Sequence, residues 1–170
     1  CRDSDFINRL RGLTSYGFRG SRESLYPATN AKLSEYAAAV GMASLDGWPT
    51  TRMRYSLVAQ GLRIALSATP EVEFQPGWGS QWVSSVFVVK LPDGSADQVE
   101  RALALEGVET RRWWAGGCHD HPAFADLPRT DLPVTRALAA STLGLPYAMD
   151  MHGRTISRIA DAVRRAVRAA

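Results

Sequence analysis

The run Trp82-Val83-Ser84-Ser85-Val86-Phe87-Val88-Val89-Lys90-Leu91, closed by Pro92-Asp93-Gly94, decides the fold. β-Branched and aromatic residues dominate it and a proline-glycine turn ends it, which predicts a strand followed by a reversal. Ser95 then stands at the cap of a helix reaching about Glu106, Gly107 stops that helix, and Val108 to Trp114 reads as a second strand. Strand, helix and strand in this order form a βαβ-like unit, half of a small α/β sandwich.

Upstream of this unit, Thr69 to Ser80 gathers proline and glycine and predicts a linker. Before it, Pro49 sits at a helix start, and Met53, Leu57, Val58, Leu62, Ile64 and Leu66 recur through a long, loosely amphipathic helix from Thr51 to Ser67. Asn30 or Ser34 opens an earlier helix running to about Leu45, where Ala37, Ala38 and Ala39 imply close contact with another element. Ser4 caps a first helix over Asp5 to Leu13, and Gly17, Gly20 and Pro27 put Ser15 to Thr29 in a loop. Downstream, Gly116 to Asp131 is a loop, Pro133 to Leu143 a helix, Pro146 a breaker and Thr155 to Ala169 the last helix. The expected organisation is a helical segment, 1–68, and a small α/β domain, 69–170; the class is mixed α/β (α+β).

With 170 residues, 45% of them hydrophobic, the chain can bury a real core. No apolar run is long enough to span a bilayer and Cys1 to Leu10 is charged, so a soluble, cytoplasmic protein with no membrane partner is expected. Cys1 and Cys118 are too few for a disulfide framework and read as free thiols. The net charge is +3, and Lys32 and Lys90 are the only lysines. Arg154, Arg158, Arg164, Arg165 and Arg168 form the densest basic group. Ile156, Ile159, Ala160, Val163 and Val167 recur among them at helical spacing, which places the arginines on a solvated face and argues against a nucleic-acid partner.

Chemistry-bearing residues gather at Cys118-His119-Asp120-His121, with His152 the one other histidine. Zinc sites space their ligands so that the chain wraps the ion, and three candidates crowded into four residues do not meet that need. A thiol activated by a histidine requires mutual hydrogen-bond reach, which sequence neighbours seldom have. No phosphate-binding loop, dinucleotide fingerprint or nucleophile elbow is present. A metal hydrolase using His119, His121 and His152 is therefore the weakest reading, and a non-enzymatic module binding a protein or nucleic acid is the main rival to an enzyme.

Three stretches resemble the DegT/DnrJ/EryC1/StrS group of sugar aminotransferases, of pyridoxal-phosphate fold type I. The first is Ile7-Asn8-Arg9-Leu10-Arg11 with Tyr16-Gly17-Phe18. The second is Thr29-Asn30-Ala31-Lys32-Leu33-Ser34-Glu35-Tyr36-Ala37-Ala38-Ala39, then Leu45-Asp46 and Arg52, similar to the group's Asn-x-Arg/Lys-Met-x-Glu-x-x-Ala-Ala signature. The third is His119-x-x-Pro122-Ala123-Phe124 with Leu132-Pro133-Val134 and Leu143-Gly144-Leu145-Pro146. The chain departs from the group at Ala28, where glycine is usual, and at Trp113-Trp114-Ala115-Gly116-Gly117, where a Tyr-Pro approach to the histidine is usual.

This resemblance implies amino transfer, usually from glutamate, to the keto group of a nucleotide-linked sugar, by a homodimer with pyridoxal phosphate as cofactor. In the group the Schiff-base lysine lies shortly upstream of the helix that matches Asp5 to Leu13, so the resemblance covers a C-terminal part, expected to bind no cofactor and to be inactive alone. Lys90 reads as a solvated strand-edge residue and Lys32 as the signature's basic position. The resemblance makes Asn30 a donor to the cofactor phosphate of the neighbouring subunit; a helix cap is the ordinary alternative. His119 falls in the substrate-side loop, with Lys32 and Arg112 as candidates for anionic substrate groups and Trp113 or Trp114 for stacking on sugar or base. Core packing is the alternative for the tryptophans.

Overall fold

The computed structural model describes residues 2–113 and 116–170. Cys1 and Trp114, with the readings placed on them, lie outside the described residues. Contacts divide the chain into two compact units, Cys1–Trp48 and Pro49–Ala170.

In the first unit, α1 spans Ser4–Leu13 and α2 spans Glu35–Asp46. The cap of α1 is Asp3, one residue before the expected Ser4: its carboxylate accepts from the Asp5 and Phe6 N–H groups at 3.0 Å each. Two ionic bonds to orphan helix donors outcompete a single hydroxyl. Ser34 caps α2 by accepting from Ala37 N at 3.1 Å. No residue of α2 is buried, and of its alanine-rich stretch only Ala38 is partly covered.

In the second unit, α3 (Trp48–Leu66) turns Val58, Ala59, Leu62 and Leu66 inward. The contacts thus change hands at 48/49, while the proline- and glycine-rich stretch after Leu66 folds into the second unit, with Thr69, Val72 and Trp78 buried. Next come β1 (Glu73–Phe74), β2 (Phe87–Lys90), α4 (Ala96–Leu105), α5 (Pro133–Ser141), β3 (Thr142–Leu145) and α6 (Gly153–Arg168). Two single-turn 3-10 helices, Cys118–Asp120 and Pro122–Phe124, lie in the loop before α5.

The sheet runs β1-β2-β3 with both pairings antiparallel, matching Phe87 to Leu145 and Glu73 to Lys90. This corrects the βαβ-like expectation. The deciding run does form a strand, though only over Phe87–Lys90, and α4 follows it as expected. From Val108 to Trp113, however, the described residues form no strand, only an isolated bridge between Arg111 and Gly144. The second strand that pairs with β2 comes instead from Thr142–Leu145, whose first two residues the sequence reading puts at the end of a helix, ahead of the breaker Pro146.

Turn chemistry matches expectation: Gly94 (φ +76°) reverses the chain after β2, and Gly107 (φ +67°) ends α4, with Val108 N reaching back to Leu103 O at 2.9 Å. Ser95 occupies the position before α4, but its hydroxyl donates to Pro92 O at 2.7 Å and bonds no helix N–H. The sheet's inner residues Phe87 and Val89 pack with α3, α4 and α6 residues Leu62, Val99, Leu103, Ile159 and Val163, all buried. Trp78 stacks on Phe87 with centroids 4.3 Å apart. No helix among the described residues is long and apolar enough to cross a membrane.

Candidate functional site

The sequence-predicted residues fall into two groups, one in each compact unit. In the first unit, Asn30 sits in extended backbone that bridges to Ser15, flanked by Tyr16 N to Thr29 O and Ala31 N to Thr14 O, both 3.1 Å. The turn leading there needs its glycine. Gly17 has φ +78°, and a β-carbon on it would fall 2.5 Å from Tyr26 O. The Asn30 Oδ1 accepts weakly from Lys32 N at 3.5 Å. Because Ser34 caps α2, Asn30 is not needed as a cap, and its side chain is exposed with the amide N–H groups available. Lys32 is also exposed and has no ion-pair partner among the described residues.

In the second unit, Arg112 is internally engaged. Its guanidinium donates to Ala139 O of α5 and lies 3.2 Å from the Asp97 carboxylate of α4. It links two helices, although its buried Nη1 makes no hydrogen bond. The side chain of His119 is 11% exposed, with Nε2 3.3 Å from Asp120 Oδ1, a close approach whose angle makes no hydrogen bond. The Arg129 guanidinium braces this turn by donating to His119 O at 3.3 Å and Ala125 O at 2.9 Å. Among the described residues no three His, Cys, Asp or Glu side chains come together as metal ligands, and Cys118 is exposed and unpaired.

Trp113 is half-exposed, which is not the core packing offered as its alternative. Its indole rests on β3 at Gly144, where a β-carbon would lie 2.6 Å from Trp113 Cδ1. Trp113, Arg111, Glu109, Pro146 and Tyr147 help to line a cleft of about 200 Å³. Gly144 was not singled out as a site residue from the sequence. A glycine inside the apolar run Leu143-Gly144-Leu145 was nonetheless a readable signal of close approach by another group. Behind the cleft, Tyr147 Oη donates to Tyr55 O at 2.8 Å, and burial, with the neighbouring Tyr55 adding to it, pushes the phenol up to about 12.

Neither lysine fits a pyridoxal-phosphate linkage, which demands an amine that is easily deprotonated. Lys90 Nζ donates to Glu73 Oε1 at 3.0 Å, and that bond and the carboxylate's charge hold the ammonium above its ordinary value. Lys32 lies open to solvent.

Comparison with known proteins places these features. The sequence profile of the DegT/DnrJ/EryC1/StrS aminotransferase family matches residues 1–164. The erythromycin biosynthesis sensory transduction protein EryC1 of Saccharopolyspora erythraea is 32% identical over 152 residues, covering 85% of this chain and 40% of that protein. The UDP-N-acetyl-3-dehydro-alpha-D-glucosamine 3-aminotransferase of Acidithiobacillus ferrooxidans is 26% identical over 170 residues, 96% of this chain and 44% of the enzyme. The crystal structure of DesI in the presence of its TDP-sugar product superposes with a TM-score of 0.79 at 32% identity, over 98% of this chain and 44% of DesI. The chain therefore spans less than half the length of these relatives. With a profile match through nearly all of its length and a shared mixed α/β fold, the chain belongs to the DegT/DnrJ/EryC1/StrS aminotransferase family.

Proposed function

We propose that this chain is the C-terminal part of a pyridoxal-phosphate-dependent aminotransferase that works as a homodimer and transfers an amino group, with glutamate as donor, to the keto group of a nucleotide-linked sugar. The chain alone binds no cofactor and is inactive. One observation carries the reading: family membership runs through residues 1–164, yet both lysines of the chain are unsuited to a Schiff base. The uncovered surface of α2 supports it too, because residues 1–68 would continue from a large cofactor-bearing domain that covers it. The sugar relatives support the substrate class.

When bound, pyridoxal phosphate supplies an electron sink at the substrate carbon. The chain's own residues bind and orient. The Asn30 amide donates to the cofactor phosphate of the neighbouring subunit, and Lys32 meets anionic substrate groups. His119, braced by Arg129, presents a ring nitrogen to the sugar or its diphosphate. The half-exposed Trp113 offers a stacking face for sugar or base. Arg112 acts as a positioning residue that fixes the start of this segment on α4 and α5.

The test has two arms. Purified chain mixed with pyridoxal phosphate should show no protein-bound visible absorbance, and a stoichiometric band would overturn the reading. Joined to the missing polypeptide, it should support amino transfer to a nucleotide-linked keto sugar, with Asn30→Ala weakening cofactor retention about tenfold. A joined protein that transfers nothing to any keto sugar nucleotide would also overturn it.

A further inference from the structure

We propose that the cleft beside β3 is a binding site for a free α-amino acid with an apolar side chain. The stretch after α4 alternates in burial. Val108 is buried and Thr110 and Arg112 are half-buried, whereas Glu109, Arg111 and Trp113 are exposed. That period of two puts Glu109, Arg111 and Trp113 on one side of the segment. Two backbone hydrogen bonds between Arg111 and Gly144, at 2.9 and 2.8 Å, fix the segment on β3.

All three side chains line the cleft of about 200 Å³, with Pro146 and Tyr147 among its apolar walls. Drug-sized sites run to roughly 300–1,000 Å³, so this space suits a smaller molecule. The Tyr147 wall is fixed by its bond to Tyr55 O, and the Trp113 indole by its seat at Gly144.

The lining selects a ligand that carries both charges. A carboxylate and a guanidinium two positions apart on one side of an extended segment branch from the chain about 7 Å from each other. The head group of an α-amino acid spans that gap with a hydrogen bond of about 2.8 Å at each end: Arg111 donates in parallel to its carboxylate, and Glu109 accepts from its ammonium. A simple anion would meet Glu109 and a simple cation Arg111, each with the wrong sign. Beyond the head group, the half-exposed indole of Trp113, Pro146 and the Tyr147 ring offer an apolar side chain its surface. Trp113 thereby gives the amino acid the face that the proposed function gives to a sugar or base, so the two ligands exclude each other.

Nuclear magnetic resonance titration of the whole 170-residue chain tests the assignment. The probes are L-phenylalanine, with both charges, phenethylamine, with the ammonium alone, and phenylpropionate, with the carboxylate alone. L-Phenylalanine should bind saturably at about 1 mM or tighter, shift the Trp113 indole N–H, and exceed either single-charge probe about tenfold in affinity. Arg111→Gln should weaken L-phenylalanine to the level of phenethylamine, and Glu109→Gln to that of phenylpropionate, a crossed pattern that damage to the fold would not give. Both side chains are exposed and Arg111 bonds Gly144 through its backbone, so the variants keep the fold. No cofactor is added, so a bound-cofactor band that overturned the aminotransferase reading would leave this result standing. The proposal is overturned by no saturable shift up to about 20 mM, by shifts that leave out Trp113, by equal affinity for a single-charge probe, or by wild-type affinity in either variant.

Discussion

Replacing Gly144 with alanine probes the seat on which Trp113 rests. Gly144 pairs with Val88 in the sheet and with Arg111 outside it, donating to Arg111 O at 2.8 Å and accepting from Arg111 N at 2.9 Å. Its φ is not positive, so alanine in open space would stabilise the protein by about 0.4–1 kcal/mol through the unfolded chain. The space is not open. The new β-carbon would meet Trp113 Cδ1 at 2.6 Å and Arg111 O at 2.9 Å, well inside ordinary contact. The half-exposed indole can swing away, but the carbonyl can retreat only by stretching the two bonds that hold Arg111 to β3. Overpacking of this kind costs about 1–3 kcal/mol, and losing the bonds instead would cost a similar amount, so a loss of about 2 kcal/mol is expected. Urea unfolding followed by far-ultraviolet circular dichroism measures it. In a Trp113→Ala background the same change should cost about 1 kcal/mol less, because only the carbonyl clash remains. A loss below about 0.5 kcal/mol in the parent chain would refute the packing argument. Equal costs in both backgrounds would remove Trp113 from it.

Tyr147 gives a pH-dependent prediction. Its folded value of about 12 lies above the unfolded 10.0, so its contribution to stability is fully present below pH 10 and is lost as pH rises from there to about 12. Tyr147→Phe should lower stability near neutrality by about 1 kcal/mol through the lost bond to Tyr55 O and flatten this alkaline decline; an unchanged decline in urea melts across that window would refute the assignment. Arg112→Met should destabilise the chain by about 1–2 kcal/mol because Ala139 O and Asp97 lose their partner. Unchanged stability in the same melts would return Arg112 to the role of a free anion binder.

How much was legible depends on whether the signal was local. Helix periodicity, Pro49 at a helix start, and the glycines at 94 and 107 act within a few residues, and each element they mark is present. Strand pairing is not local. Thr142–Leu145 is too short to show alternation and follows a helical pattern without a break, so nothing nearby announces that β2 will pair with it. Val108 to Arg111 has strand-like composition, yet its neighbours allow only one bridge. The site follows the same rule. Asn30 and His119 stand out by residue type and order, whereas the engagement of Arg112 depends on Asp97 and Ala139, which fold topology alone brings to it.

The helix α2 offers the sharpest physical test of whether the chain is part of something larger. A helix of its length is marginal in water by propensity alone, and here no packing face supports it, for none of its residues is buried. Its large apolar side chains lie open to solvent, Tyr36 82% exposed, Leu45 65% and Met42 60%, and Leu33, Met42, Leu45 and Trp48 line a shallow apolar groove of about 540 Å³. Patches of this character mark surfaces that other protein covers. If that cover lies outside this chain, changing Tyr36, Met42 and Leu45 together to glutamine removes no internal contact, and each site should shift stability by less than about 0.5 kcal/mol. Sedimentation should then show less self-association than in the parent chain. Joined to the remaining polypeptide, the same triple variant should lose stability by several kcal/mol, because the side chains would now leave polar groups in a closed interface. A triple variant that already unfolds as the separate chain would mean that the helix buries these residues internally, and the inference of a missing cover would fall with it.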